Sequence, residues 1–256
     1  MRGELTFSIS TLFAFLLVLT RVSGVFAFVP IPGLRASSTL PKAVISVALT
    51  IALMPLWPTL TSTPASFGVI LGWIASEAIL GLMIGVAVAF ITEAFLMAMQ
   101  VVGLQAGYSY ASTIDPSSEA DSSILQVLAQ LMANLLFFIA GMDREIIRAV
   151  GMSLDAHPPG TFFPRAGSAT VLIGLGTHVF TTGLRLAMAV VALLMLVDLT
   201  LALTGRIHAQ LQLLSLAFPV KMIAALAMLA ALVAVIPVLY EQSMSRTITA
   251  VHALLR

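Results

Sequence analysis

Apolar positions fall into six runs, at about 5–29, 43–60, 67–104, 124–142, 168–204 and 211–239, with short polar or proline-rich links between them. A helix needs about 20 apolar residues to cross a bilayer, so each run is an expected membrane-type helix. Two runs, 67–104 and 168–204, are much longer than one crossing requires. Each fits a long tilted helix, a bent helix or a tight helical hairpin. Glycines at 72, 81 and 85 permit bending or close packing in the first, and Arg185 and Asp198 interrupt the second. In the last run Pro219 predicts a break or kink. The links Pro30-Ile-Pro-Gly-Leu-Arg-Ala-Ser-Ser-Thr39, Thr59-Leu-Thr-Ser-Thr-Pro-Ala-Ser66 and His157-Pro-Pro-Gly-Thr-Phe-Phe-Pro-Arg165 read as turns, and Pro158 should stop any helix before it.

Two stretches depart from this pattern. Segment 143–155 alternates Asp143, Arg144, Glu145, Arg148 and Asp155 with Ile146, Val150 and Leu154 at i, i+4 and i+8. This is one greasy stripe on a charged helix, with Glu145 able to pair with Arg148 at i+3. It reads as a helix lying on a protein or membrane surface. The second stretch, Gly103-Leu-Gln-Ala-Gly-Tyr-Ser-Tyr-Ala-Ser-Thr-Ile-Asp-Pro-Ser-Ser118, separates two apolar runs and is too polar to face lipid. Such backbone must be buried in protein, line an aqueous path or lie outside the bilayer.

Composition agrees with the pattern. The chain is 60% apolar and only 9% charged, against roughly 25% charged in a soluble domain, and its mean hydropathy is +1.09. It reads as an all-α, integral-membrane-type protein. No fixed-period repeat and no long linker divides it, so residues 1–256 read as a single domain. Met1-Arg2 before the first run suggests a signal peptide, but Glu4 and the lack of a small-x-small cleavage site favour an uncleaved first membrane segment. Basic residues appear in nearly every link, so the positive-inside rule gives no clear orientation. Simple zigzag crossing is therefore a poor description.

Enzyme chemistry is hard to find. With no cysteine, disulfides and thiolate sites are excluded. His157, His178, His208 and His252 have no metal-ligand partner at helical spacing, and neither a Gly-x-Ser-x-Gly elbow nor a phosphate-binding glycine loop occurs. A net charge of +1, with no basic patch, offers nothing to nucleic acid. No catalytic, cofactor or metal site is expected.

Charges within apolar runs are costly unless paired or wetted. Glu77, Glu93, Arg185, Asp198 and Lys221 qualify, with Arg21 near the end of its run. Glu77 and Glu93 lie sixteen residues apart, an offset of about 160° on one helix at about 100° per residue. Pairing or exposure is the favoured reading, and an ion-coupled transporter using Glu77, Glu93 or Asp198 is the alternative. Gly81-Leu-Met-Ile-Gly85 and Gly103-Leu-Gln-Ala-Gly107 match the small-xxx-small spacing that lets a second backbone approach. Met97, Met99, Met132 and Met142 read mostly as core filling.

In order and spacing, nearly the whole chain resembles the FliR family, the export-gate subunit of the flagellar type III secretion apparatus, whose injectisome relatives share its fold. Gly103-Leu-Gln-Ala-Gly107 through Asp115-Pro116 resembles the family's Gly-x-Gln-x-Gly…Asp-Pro loop, and Leu135-Leu-Phe-Phe-Ile-Ala-Gly141 the segment after it. Leu199-Thr-Leu-Ala-Leu-Thr-Gly-Arg206, continuing through Gln210-Leu211 to Phe218-Pro219, is similar to a second family pattern, and Arg21, Pro30 and Pro41 also fit. The chain departs where the family has Asn-Gly-His, at Ala140-Gly141-Met142, and carries Gly205 and Ala209 where the family commonly has Asn and Pro.

The resemblance implies an all-helical subunit that joins FliP and FliQ in a helical, ring-like gate, with FlhB attached. The gate passes unfolded substrates across the bacterial inner membrane at the flagellar basal body. Much of such an assembly is lifted out of the membrane plane, which would account for the over-long runs. The glycine-rich loop acts in the family as a plug, here about 105–122. Its candidate residues are Gln105, Gly107, Tyr108, Ser109, Tyr110, Ser112, Asp115 and Pro116. Gly81, Gly85, Gly103, Arg21, Arg206, Phe218 and Pro219 are candidate packing and assembly positions.

Overall fold

Apolar runs become helices throughout the part of the chain that the computed structural model describes, residues 9–30, 39–57, 66–108, 124–164, 166–207 and 213–255. In chain order these are α1 (Ile9–Phe28), α2 (Thr39–Ala52), a 3-10 turn at Met54–Leu56, α3 (Phe67–Ala106), α4 (Ile124–Ile139), α5 (Met142–Ala156), α6 (Ala166–Ile207), α7 (Leu213–Leu232) and α8 (Ile236–Leu254). No strand occurs among the described residues. The fold is all-α, as expected.

Both over-long runs are single continuous helices. At about 1.5 Å per residue, the 40 residues of α3 and the 42 of α6 each extend about 60 Å, twice the hydrocarbon thickness of a bilayer. Arg185 and Asp198 therefore do not interrupt α6. Among the described residues, three helices are long and apolar enough to cross a membrane, within Ser10–Phe28, Phe67–Ala106 and Gly167–Arg206, and up to five if two bent pairs each count as one.

Two sequence expectations are corrected. Pro219 does not break its helix, since α7 runs through it. Pro219 lies past the first four N–H groups of α7, so it costs the helix one backbone bond without ending it. The break falls instead at residues 233–235, where α7 and α8 are bent by 63°, and Pro237 occupies the first turn of α8, where its missing N–H costs nothing. The last apolar run also does not end the helical region at 239. The helix α8 continues to Leu254 because Ile236, Tyr240, Thr247, Val251 and Leu254 form a buried stripe on an otherwise polar segment.

The contacts divide into two units, neither of them continuous in sequence: residues 1–90, 137–175 and 244–256, and residues 91–136 and 176–243. In the first unit, Leu17, Val18, Val22 and Val25 of α1 and Leu80, Ile84, Ala87 and Val88 of α3 are buried at helical spacing. Here the Gly81/Gly85 spacing finds its partner in α1. A Cβ on Gly81 would lie 2.1 Å from the Arg21 carbonyl oxygen, and one on Gly85 would lie 2.4 Å from that of Val25. Gly24 returns the contact, with its own Cβ position 3.0–3.1 Å from the backbone of residues 78–82. Two helix backbones therefore touch without intervening side chains.

That contact brings a buried ion pair into register. Arg21 and Glu77 are both fully buried, with Arg21 Nε 2.5 Å from Glu77 Oε2. The remaining guanidinium donors turn to the C-terminal end of α5, where Nη1 bonds the Ser153 carbonyl at 2.6 Å and Nη2 the His157 carbonyl at 2.8 Å. Nη1 also reaches the Ser153 hydroxyl at 3.1 Å. A cation suits the carbonyls at a helix C-terminus, and that of Ser153 takes Nη1 in addition to the His157 N–H. The other carboxylate oxygen, Glu77 Oε1, accepts the Gly160 N–H at 2.9 Å. Gly160 has φ +85, and a Cβ there would collide with the Trp73 ring at 2.7 Å. As expected, α5 stops before Pro158, at Ala156.

The charged helix α5 does more than lie on a surface. Its stripe of Ile146, Val150 and Leu154 is buried, Arg148 and Glu145 pair on the outer side at 2.5 Å, and its C-terminal end holds the Arg21 cluster. At the end of α1, Lys42 Nζ bonds the Ala27 carbonyl at 2.9 Å, and the Phe15 and Trp57 rings lie 5.7 Å apart.

Two outcomes follow for thermal unfolding of the protein in detergent. Gly81→Ala destabilises by about 1–3 kcal/mol, because backbone cannot yield as a side chain can, whereas Gly72→Ala, which meets open space, does not lower the midpoint. Arg21→Leu costs about 3–5 kcal/mol by leaving Glu77 buried without its counter-charge, and Arg21→Leu combined with Glu77→Gln is less unstable than Arg21→Leu alone.

Candidate functional site

In the second unit the end of α3 meets α6 and α7. Buried Ile91, Ala94, Phe95, Ala98, Val102 and Ala106 carry α3 through this unit. Gly183 of α6 allows another backbone approach, with its Cβ position 2.7 Å from the Ala94 carbonyl oxygen. Phe95 packs against Tyr240 with ring centroids 5.6 Å apart.

Helix α3 ends in a Schellman motif. The Tyr108 N–H bonds the Gly103 carbonyl at 2.9 Å, and the Gly107 N–H bonds that of Leu104 at 3.3 Å. Gly107 takes φ +88, a conformation open to glycine at little cost. It is constrained twice, because a Cβ there would lie 2.7 Å from the ring of Phe218. The Gly103-x-x-x-Gly107 spacing therefore terminates the helix: Gly103 accepts the closing bond, and Gly107 makes the turn against an aromatic ring.

Polar groups gather around this turn. Asp198 of α6 receives Lys221 Nζ of α7, at 3.0 Å to Oδ1 and 3.1 Å to Oδ2. Gln105 Nε2, from the last turn of α3, reaches Oδ2 at 3.3 Å. The Tyr108 hydroxyl donates to the Met222 carbonyl at 3.2 Å. Burial raises the Tyr108 phenol above its ordinary 10.0, so the hydroxyl keeps its proton at neutral pH. Lys221 is mostly buried, while the Asp198 side chain is 43% exposed. The arrangement fixes the point and direction at which the chain leaves α3.

Of the residues singled out in the sequence, Gln105, Gly107, Tyr108 and Phe218 come together here, with Gly103 closing the turn and Pro219 exposed beside Phe218. Gln105 and Ala106 are helical, so the non-helical link begins at Gly107. Ser109, Tyr110, Ser112, Asp115 and Pro116 lie outside the described residues. Gly81, Gly85 and Arg21 belong to the first unit. Arg206 is exposed in the last turn of α6. Glu77 and Asp198 are paired, whereas Glu93 and Arg185 are exposed. Met222 and Gly160 contribute through backbone groups, and Ser153 chiefly so, which no residue-type pattern would reveal. No group of three or more metal-ligating side chains occurs among the described residues.

Comparison with known proteins identifies the family. The family model described as bacterial export proteins, family 1, matches residues 12–247. The flagellar biosynthetic protein FliR of Bacillus subtilis (strain 168) is 28% identical over 249 residues, covering 94% of this chain and 94% of its own length. That of Escherichia coli (strain K12) is 27% identical over 219 residues, covering 85% and 83%. That of Caulobacter vibrioides is 25% identical over 218 residues, covering 84% and 86%. With the family model matched from residue 12 to residue 247, and with relatives aligned over most of their own length, the chain belongs to bacterial export proteins family 1, the FliR family.

Proposed function

We propose that this protein is a core channel subunit of the flagellar type III export gate. It assembles with FliP, FliQ and FlhB in the bacterial inner membrane at the flagellar basal body, and unfolded substrates pass through the assembly. Residues from about 107 to 122 act as its plug. The observation that carries this reading is the polar turn at the end of α3, where Gly107, Tyr108 and Gln105 are held by Phe218, Met222 and Asp198 in an otherwise apolar region. A chain exit given a defined direction suits a segment that must occupy one place. The extensive apolar surface supports assembly with unlike helices: Leu131, Leu135, Ile173, Phe180, Met195 and Leu196 are all more than half exposed.

An ion-coupled transporter is the weaker reading. Coupling needs an acid free to bind and release a cation, but Glu77 is engaged by Arg21 and the Gly160 N–H, and Asp198 by Lys221 and Gln105. The remaining candidate, Glu93, is exposed.

Deleting residues 107–118 leaves the complex assembled and lets small ions leak across the membrane, as read by conductance or ion-sensitive dyes; unchanged permeability overturns the plug position. Arg206→Ala, which removes an exposed cation at the end of α6, weakens recovery of the intact complex from detergent. Full recovery would reduce Arg206 to a solvated surface charge.

A further inference from the structure

Helix α3 carries two acids and no basic residue. The first, Glu77, is neutralised inside the chain by Arg21 of α1. The second, Glu93, is exposed, and the ion pairs among the described residues, Arg21–Glu77, Arg148–Glu145 and Lys221–Asp198, do not include it. It stands about 20 Å inside the Ala106 end of the helix, at about 1.5 Å per residue. Its neighbours three and four residues away on either side, Ala89, Phe90, Leu96 and Met97, are all apolar, so the helix has nothing of its own to offer the charge.

Glu93 points away from the packed side of α3. Ile91, Ala94, Phe95, Ala98 and Val102 are buried on that side. At about 100° per residue, Glu93, Gln100 and Leu104 fall together on the opposite side, and all three are exposed. Every other exposed residue of α3 is apolar or glycine. One carboxylate and one amide, two turns and about 10 Å apart, therefore stand alone on a long oily face. Lipid does not suit them. Acids within apolar spans turn to protein or to water and pair there, and amides bond across helix contacts.

We propose that this face of α3 is a docking surface for an apolar helix of an unlike subunit, which brings a lysine or arginine to Glu93 and a hydrogen-bonding group to Gln100. The apolar residues supply contact area, and the two polar groups fix the register. This rests on the reading that the chain assembles with unlike membrane subunits, and it specifies the chemistry that one of them carries.

The test uses the full chain in the assembled complex. Chain abundance in the membrane and complex recovered from detergent are read for each variant. Glu93→Leu lowers recovery about tenfold at parental abundance, because the partner's cation is left buried and unpaired. Glu93→Arg lowers it further. Basic residues in the apolar helices of the unlike subunits are then changed to Glu one at a time against Glu93→Arg. One of them restores recovery, and failure of all of them overturns the proposal. A lipid-facing carboxylate gives Glu93→Leu recovery at or above the parental level, which also overturns it. Rescue of Glu93→Arg by Arg185→Glu, at the exposed cation of α6, assigns the face to a second copy of this chain and overturns the unlike partner.

A second measurement needs no change of charge. The chain has no cysteine, so Gln100→Cys places a single thiol on the same face. That thiol is shielded from a charged maleimide in the intact complex and reacts once the complex is dissociated; full reaction in the intact complex marks a wetted wall and overturns the docking. If the parental chain is recovered free of unlike subunits, the assembly reading itself falls. If the parental complex is intact and Glu93→Leu matches it, only the docking surface is wrong.

Discussion

Close backbone contact between α1 and α3 is the condition for much of the first unit. With no side chain at Gly81, the Arg21 carbonyl lies where a Cβ would be. Glu77, one turn earlier on α3, is thereby brought within reach of the Arg21 guanidinium. From there the geometry propagates outward. Arg21 holds the final carbonyls of α5, Glu77 holds the Gly160 turn, and that turn is closed against Trp73. Each buried polar group is satisfied by the next, as an apolar interior requires. Hydrophobic burial holds the unit together, while the glycines and the ion pair select one register among the many that oily helices could adopt.

The second unit solves a related problem with different parts. Glycine again allows close contact, at Gly183 against Ala94 and at Gly107 against Phe218. The ion pair, however, differs in burial. Arg21 and Glu77 have no exposed surface, whereas Asp198 remains partly open. A fully desolvated pair with both carboxylate oxygens bonded is a fixture. A half-wetted one, whose carboxylate is shared between two donors, can be exchanged for water at lower cost. Among the described residues the pairs joining separate helices are of these two kinds, and the exchangeable one, Lys221–Asp198, stands at the end of α3.

Much of this architecture is legible in the residues themselves. Long apolar runs predict long helices, and the stripe of Ile146, Val150 and Leu154 predicts the buried face of α5. Pro158 predicts where that helix stops, and the Gly81/Gly85 spacing predicts a backbone contact. The partners in those contacts are not legible, because Arg21 and Glu77 lie 56 residues apart and Arg21 and Ser153 lie 132 apart, and nothing local records the meeting. Pro219 misleads because the loss of one backbone bond does not by itself end a helix. The end of α8 is missed because a narrow buried stripe runs beneath a polar surface. Gln105 looks like loop because it adjoins glycine, but α3 continues until Gly107 supplies a positive φ. For the remaining loop residues, from Ser109 to Pro116, polarity alone excludes a lipid-facing place, and the plug role comes from family resemblance.

The Arg21 cluster also dictates an order of events while the chain is being made. Residues emerge from the ribosome in sequence, so Arg21 appears 56 residues before its counter-ion, 132 before Ser153 and 136 before the His157 carbonyl that completes its coordination. During that interval the first helix carries a cation that lipid would exclude. It must wait in water, at the bilayer surface or inside the insertion machinery until α3 arrives to neutralise it. Helices α1 and α3 then settle as a pair, and the last turn of α5 docks onto a site already built.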